Sequence, residues 1–422
     1  MMTYKSKKIT DAAAPAALAK RKVATATELG GASRLVIDAV VGITNIVEDM
    51  HRGISGVAPV VGKMPPGRMD GISGLVYRSV RGVTKAVGLG LDAALGQLVP
   101  LLGSSGTMLH REAGLAAVNG VFGDYLAATN NPLTISMQLR QQGCPLVLER
   151  AALAKQFAPL PSNSKLLVLV HGLCMNDLQW HRNGHDHGAS LAQDLGYTTL
   201  YLHYNSGRSI AANGHDFALI LEQLVSVWPV PVSELTIIGH SMGGLVSRSA
   251  CYYAEQDGLA WLLYLKKLIF LGTPHHGAPL ERAGTWVDLL LGISPYTAPF
   301  ARLGMVRSSG IKDLRHGTIL GEVADQSDKK LASAAVSLPK DVSCFAIAAT
   351  KQAQAGSGKR LPGDGLVPVN SALGLHKSAE LTLPIPLPRK HISYGLDHFE
   401  LLSSSDVYQQ IHLWLAQAQA QA

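Results

Sequence analysis

The sequence predicts an α/β protein with a doubly wound, mostly parallel sheet, preceded by an α-helical N-terminal extension. Three observations carry this expectation. After Pro161, apolar runs such as Lys165-Leu-Leu-Val-Leu-Val170 alternate regularly with helical patterns, as parallel strands covered on both faces and joined by crossover helices require. One of these alternations, Leu235-Thr-Ile-Ile-Gly-His-Ser-Met-Gly-Gly-Leu245, sets a serine at the apex between a strand and a helix. Before residue 110 the pattern is instead that of basic, Gly-rich amphipathic helices.

The chain has 422 residues, 47% of them hydrophobic and 16% charged. It can bury a sizeable core and is long for one domain, which implies a main domain plus an extension. Its formal charge of +7 is concentrated: residues 1–110 hold 13 Lys and Arg against 7 Asp and Glu, a surplus of 6. An electrostatic partner should therefore meet the N-terminal part first. Cys144, Cys174, Cys251 and Cys344 show no C-x-x-C pair and no metal-ligand spacing, and read as reduced structural thiols. The start of the chain lacks the apolar core of a signal peptide, and no stretch reaches ~18 uncharged apolar residues. A cytoplasmic location is expected.

Taken in order, residues 1–22 read as a mobile basic tail and residues 23–140 as the helical extension. Val36, Val40, Ile43, Val47 and Met50 form one helical stripe; Leu75, Val80, Val83, Val87, Leu91 and Leu98 form another, with Arg78, Arg81 and Lys85 on a different face. Between them, Val57–Arg68 carries three prolines and two glycines. These helices pack on the main domain or, through residues 34–100, lie on an anionic lipid surface, where burial and charge add. A third helical region spans Arg111 to Arg140, interrupted near Asn130-Asn-Pro132, and is expected to lead into the main domain. Within the main domain, 145–418, strands are expected at 165–170, 198–203, 235–238, 267–271, 343–348 and 381–383. Helices are expected at 189–195, 211–228, 241–254 and 399–416.

The turn at Gly239-His-Ser-Met-Gly243 needs glycine at both flanks, because a side chain there would collide with the neighbouring strand or helix. Ser241 is thereby raised above the carboxyl end of the sheet as a nucleophile, and the Met242 N–H, at a helix N-terminus, faces a developing oxyanion. A serine hydroxyl needs a base and a carboxylate to orient that base, and at an elbow of this kind both follow in chain order. Asp364, in Leu361-Pro-Gly-Asp-Gly-Leu-Val-Pro368, is the expected acid; Asp341 precedes its strand and sits at the wrong edge. His398, just before the last helix, is the expected base, with His391 as its competitor. Asp397 adjoins His398 but lies in its own loop. The second oxyanion donor is the Leu173 N–H, after the strand that ends at Val170. His171, Gly172 and His240 flank these donors and are expected to line the substrate.

As a set, His171-Gly-Leu173, Gly239-His-Ser-Met-Gly243, Gly272-Thr-Pro-His-His-Gly277, Gly363-Asp-Gly-Leu-Val-Pro368 and Asp397-His-Phe399 resemble the bacterial triacylglycerol lipases and esterases. They also resemble the related esterases that remove acyl chains from lipid-linked inositol. The similarity covers residues 145–415. It implies an α/β-hydrolase fold, ester hydrolysis through an acyl-enzyme, no cofactor, and a helical lid over the serine, for which the insertion at 278–338 is the candidate. An acyltransferase of the same fold, or a lipid-surface coating protein led by the N-terminal helices, are the alternatives. His275 and His276 are expected to brace their loop, and Tyr204–Arg208 to line the pocket or form a simple turn. The cluster His181-Arg-Asn-Gly-His-Asp-His187 has a spacing that could hold zinc or nickel, but its polar loop setting favours no metal.

Overall fold

The computed structural model describes residues 108–162, 164–277, 308–321, 336–354 and 361–417. The expectations for the tail, for the helices at 34–50 and 75–98 and for most of the insertion at 278–338 fall outside these residues.

The strands are β1 Gln138–Gln141, β2 Cys144–Pro145, β3 Ser164–Val170, β4 Thr198–His203, β5 Val232–His240, β6 Leu265–Leu271, β7 Ser343–Thr350 and β8 Lys390–Tyr394. They form one sheet in the order β2-β1-β4-β3-β5-β6-β7-β8. From β4 to β8 every pairing is parallel, and only the β1–β4 and β1–β2 pairs are antiparallel. The central strands are the apolar runs: Leu166 to Val170 on β3 are completely buried, as are Ile237 and Ile238 on β5, which matches a sheet covered on both faces. The expected strand at 381–383 does not form. Leu381 ends a short 3-10 turn, Ala379–Leu381, and the last strand comes later, at Lys390–Tyr394.

The sheet order fixes where a ligand can bind. From β3 the chain moves to β4 on one side, then crosses back to β5 on the other. The loops leaving β3 and β5 diverge, and the crevice between their carboxyl ends is the topological switch point at which such sheets hold their ligands. The register sets Val170 beside Gly239, so the Leu173 loop and the Ser241 turn leave the sheet at one level.

The helices around the sheet are α1 Met108–Ala128, α2 Arg150–Gln156, α3 His187–Leu195, α4 Ile210–Val227, α5 Met242–Asp257, α6 Ser309–His316, α7 Val369–Ala372 and α8 Ser405–Gln417. Their starts follow local chemistry. Asp186 and Ser209 accept from the Ala189 and Ala212 N–H groups and so satisfy donors that the first turns of α3 and α4 leave open. Helix α1 stops at Ala128, next to the interruption expected near Asn130-Asn-Pro132, and it belongs to the same compact unit as the sheet. Its docking is close. A Cβ on Gly120 would lie 2.2 Å from Cys174 Sγ, while the Gly123 and Gly120 carbonyls accept from Asn205 Nδ2 at 2.9 Å and Ser308 Oγ at 2.7 Å.

A buried ionic cluster ties α1 to the loops at the switch point. Arg140 Nη1 lies 3.0 Å from Glu112 Oε2 and 3.1 Å from Asp177 Oδ1, and His203 Nδ1 lies 3.0 Å from that same aspartate oxygen. Burial pushes the Asp177 carboxyl up, but its His203 and Arg140 partners outweigh burial and hold it below the usual carboxylate range. Removing one partner from such a set costs roughly 3–5 kcal/mol, because the others are left buried and uncompensated.

Candidate active site

Strand β5 ends at His240 and α5 opens at Met242, so the chain reverses on Ser241 alone. Ser241 takes φ 54° and ψ −123°, a region that L-residues hold only at a cost of about 1–3 kcal/mol and only where the surroundings enforce it. Those surroundings are visible. The Ser241 N–H donates to the Leu271 carbonyl of β6 at 2.8 Å. A Cβ on Gly239 would lie 2.6 Å from the Gly244 Cα, and one on Gly243 would lie 2.2 Å from the Val170 carbonyl oxygen. Gly243→Ala is therefore expected to destabilise the fold by about 1–3 kcal/mol through overpacking, seen as a lower Tm. An unchanged Tm would show that the turn has room the geometry denies.

Asp364 follows β7, as the order of a triad requires, and is 1% exposed. Its Oδ1 accepts from the Leu366 and Val367 N–H groups at 2.9 and 2.8 Å, which leaves Oδ2 to accept from His398 Nδ1 at 2.7 Å. The carboxylate is thus locked by its own turn and fixes the tautomer of the imidazole, leaving Nε2 bare as a base. His398 is 2% exposed, and its ring centroid lies 4.7 Å from that of His240, the residue before Ser241. Asp397 plays no part in orienting that ring. Its Oδ1 accepts from the Phe399 and Glu400 N–H groups, and Glu400 Oε2 accepts from the Asp397 N–H, so the pair caps the short turn Glu400–Leu402.

On the other side of the crevice, a Cβ on Gly172 would lie 3.1 Å from Ser241 Cβ, so the β3 loop passes directly against the serine. Cys174 takes φ 58° and its N–H donates to Ser206 Oγ at 3.0 Å, while the Met175 N–H donates to the Gly172 carbonyl. Among the described residues the Leu173 N–H makes no hydrogen bond. Met242 opens α5, and an N–H in that first position has no intrahelical partner. These two donors flank Ser241 in the chain fold. Leu173, Met175, Met242 and Phe399, neighbours of the site residues in the chain, are buried apolar side chains.

The family model of the PGAP1-like alpha/beta domain matches residues 165–351. The fold is that of the α/β-hydrolases. Among solved structures, the mature form of the Bacillus licheniformis lipase BlEst2 is 19% identical at a TM-score of 0.41, over 61% of this chain and 94% of that one. A Pyrobaculum calidifontis esterase is 12% identical at a TM-score of 0.41, over 62% and 78%. The Pyrococcus furiosus esterase Pf2001 is 12% identical at a TM-score of 0.38, over 60% and 81%. No curated protein matches the chain.

Within this α/β-hydrolase fold, the matched segment contains the Leu173 loop and Ser241, while Asp364 and His398 lie beyond it. Two of the side chains expected to line the substrate are enclosed by their neighbours. The rings of His171 and His240 are completely buried. His171 stacks on Tyr204, at 4.3 Å between centroids, and its Nδ1 donates to the Gly172 carbonyl at 2.8 Å. The Tyr204 hydroxyl donates in turn to the His171 carbonyl at 2.8 Å, so both shape the loop from within. Burial holds the His171 imidazole neutral, with its pKa lowered to about 3. Gly172, by contrast, does face the serine.

The remaining histidines resolve by their partners. His391 lies on the edge strand β8 and its Nε2 bonds Asp406 Oδ2 at 3.0 Å, away from the Asp364 pair. In the 181–187 loop, His185 Nε2 donates to His187 Nδ1 at 2.8 Å, and His187 Nε2 donates to the Leu401 carbonyl at 2.9 Å. Both nitrogens of His187 are spent on hydrogen bonds, and burial lowers its pKa to about 4. Among the described residues, no group of three His, Cys, Asp or Glu side chains is arranged to hold a metal ion. No helix among them is long and apolar enough to cross a membrane. His275 is buried beside Arg248, whose Nη1 lies 3.4 Å from its Nδ1.

Proposed function

We propose that the chain is a serine carboxylester hydrolase acting on lipid-like or other apolar esters through an acyl-enzyme. The observation that carries this reading is the buried Asp364–His398 pair packed, through His240, against a serine held at a strained elbow. In the proposed reaction, Ser241 Oγ attacks the ester carbonyl while His398 Nε2 takes its proton. The oxyanion is received by the Leu173 and Met242 N–H groups, each worth roughly 3–4 kcal/mol of transition-state stabilisation. His398 then gives the proton to the leaving alcohol. Water, deprotonated by the same nitrogen, attacks the acyl-Ser241 ester and releases the acid. The apolar residues that neighbour the site in the chain, Leu173, Met175, Met242 and Phe399, support an acyl chain over a charged group as the ligand.

A fluorophosphonate probe tests the nucleophile without knowledge of the natural ester. The expected result is one covalent adduct, on the peptide containing Ser241, whose formation is lost in His398→Ala. An unlabelled Ser241 in the folded protein would overturn the assignment. A series of p-nitrophenyl esters of increasing acyl length then sets the substrate range.

A further inference from the structure

We infer that His240 is a positioning residue: through its ring N–H it pins the backbone of His398 and so holds the base against the elbow. The inference rests on the proposed ester chemistry for its kinetic consequence, but its structural part stands independently. His240 Nε2 lies 3.1 Å from the His398 carbonyl oxygen. A carbonyl oxygen only accepts, so Nε2 carries the proton and Nδ1 is bare. Nδ1 has no partner among the described residues and faces Gly172, where an added Cβ would lie 3.3 Å away. The ring is completely buried and stands between the Trp180 edge, at 6.4 Å between centroids, and the imidazole of His398.

One side chain therefore touches all three segments that the chemistry needs. By sequence it precedes the nucleophile; by hydrogen bond it holds the loop of the base; and its Nδ1 lies where a side chain on Gly172 of the oxyanion loop would press on it. Burial alone would be served as well by a phenylalanine or leucine. What such a residue lacks is a donor for the His398 carbonyl, which would then be left buried and less well satisfied, on the one residue whose ring must aim at Ser241. Misplacing a reacting group by ~1 Å can cost on the order of 100-fold in rate.

The test compares His240→Gln, whose amide nitrogen can reach the place of Nε2, with His240→Asn, which falls one methylene short, and with His240→Phe, which keeps the ring without the donor. Expected for Asn and Phe is a loss of roughly 10- to 100-fold in kcat for a p-nitrophenyl ester, with little change in KM. Gln is expected to recover most of that loss. Equal losses in Gln and Asn, or no loss in any variant, would overturn the inference. Tm separates folding from function, and the Gln and Asn pair remains decisive if Phe does not fold. A readout free of ester chemistry is the downfield proton resonance of the His398–Asp364 hydrogen bond. It should persist in Gln and broaden in Asn and Phe; persistence in all three would sink the positioning role. A failure of the hydrolase reading would show separately, as equal ester hydrolysis by the wild-type protein and Ser241→Ala.

Discussion

Replacing Ser241 with alanine is expected to lower kcat for a p-nitrophenyl ester by about a millionfold, the scale on which serine triads collapse when the nucleophile is removed. The size follows from how the parts depend on one another. In the proposed mechanism the Asp364–His398 pair and the two oxyanion donors act only on a proton and a charge that the Ser241 hydroxyl creates, so without it their contributions vanish together. Asp364→Asn should cost less, about 10⁴-fold, because the pocket remains while the imidazole loses its tautomer. A second consequence belongs to the same residue. Ser241 holds φ 54°, which glycine adopts freely, so Ser241→Gly should abolish turnover and raise Tm. Steady-state kinetics beside thermal unfolding check both arms. Rates for Ser241→Ala equal to those of the wild-type protein would end the proposal.

Acidification is the second large effect. His171, His187, His240 and His275 are all completely or almost completely buried, and desolvation is the first cause that lowers each of their pKa values. Their ordinary value is 6.5; His187 is lowered to about 4 and His171 to about 3. The sign follows from proton counting. Between the unfolded and folded values the unfolded chain binds the proton and the native protein does not, so native stability is full above pH 6.5 and falls as pH drops through that window. At about pH 5 His171 and His187 each cost on the order of 2 kcal/mol, and the burial of His240 and His275 acts in the same direction. Tm is expected to fall as pH drops from 6.5 towards 5. His187→Gln should flatten that curve, and a Tm constant from pH 7 to 5 would refute the account.

The legible part of the fold was the part governed by local rules. The continuous apolar runs of β3 and β5 and the glycines around Ser241 each have one physical explanation, and residues 364 and 398 follow from chain order. The misplaced last strand shows where such rules fail. Leu381-Thr-Leu383 carries the apolar pattern, but prolines at 384, 386 and 388 follow it, while Lys390–Tyr394 is an edge strand of mostly half-exposed residues and so needs no apolar run. Burial of His171 and His240 was equally invisible, since a histidine beside a nucleophile reads the same whether it faces substrate or core. The Glu112–Arg140–Asp177–His203 cluster joins residues up to 91 positions apart, and no spacing announces it. The spacing of His181, His185 and His187 is also that of a metal set, though the polar loop favoured none, and the same proximity lets two of these rings bond one another and a carbonyl.

The seat of His398 has a practical meaning for redesign. Among the described residues, its loop is gripped by His240, by His187 through Leu401, by Asn183 through Ser403, and by Arg182 stacked over Phe399. None of these anchors comes from the insertion after Gly277. Under the proposed ester chemistry, grafting that insertion from another enzyme would keep these four anchors in place, so acyl preference and proton transfer become open to separate engineering.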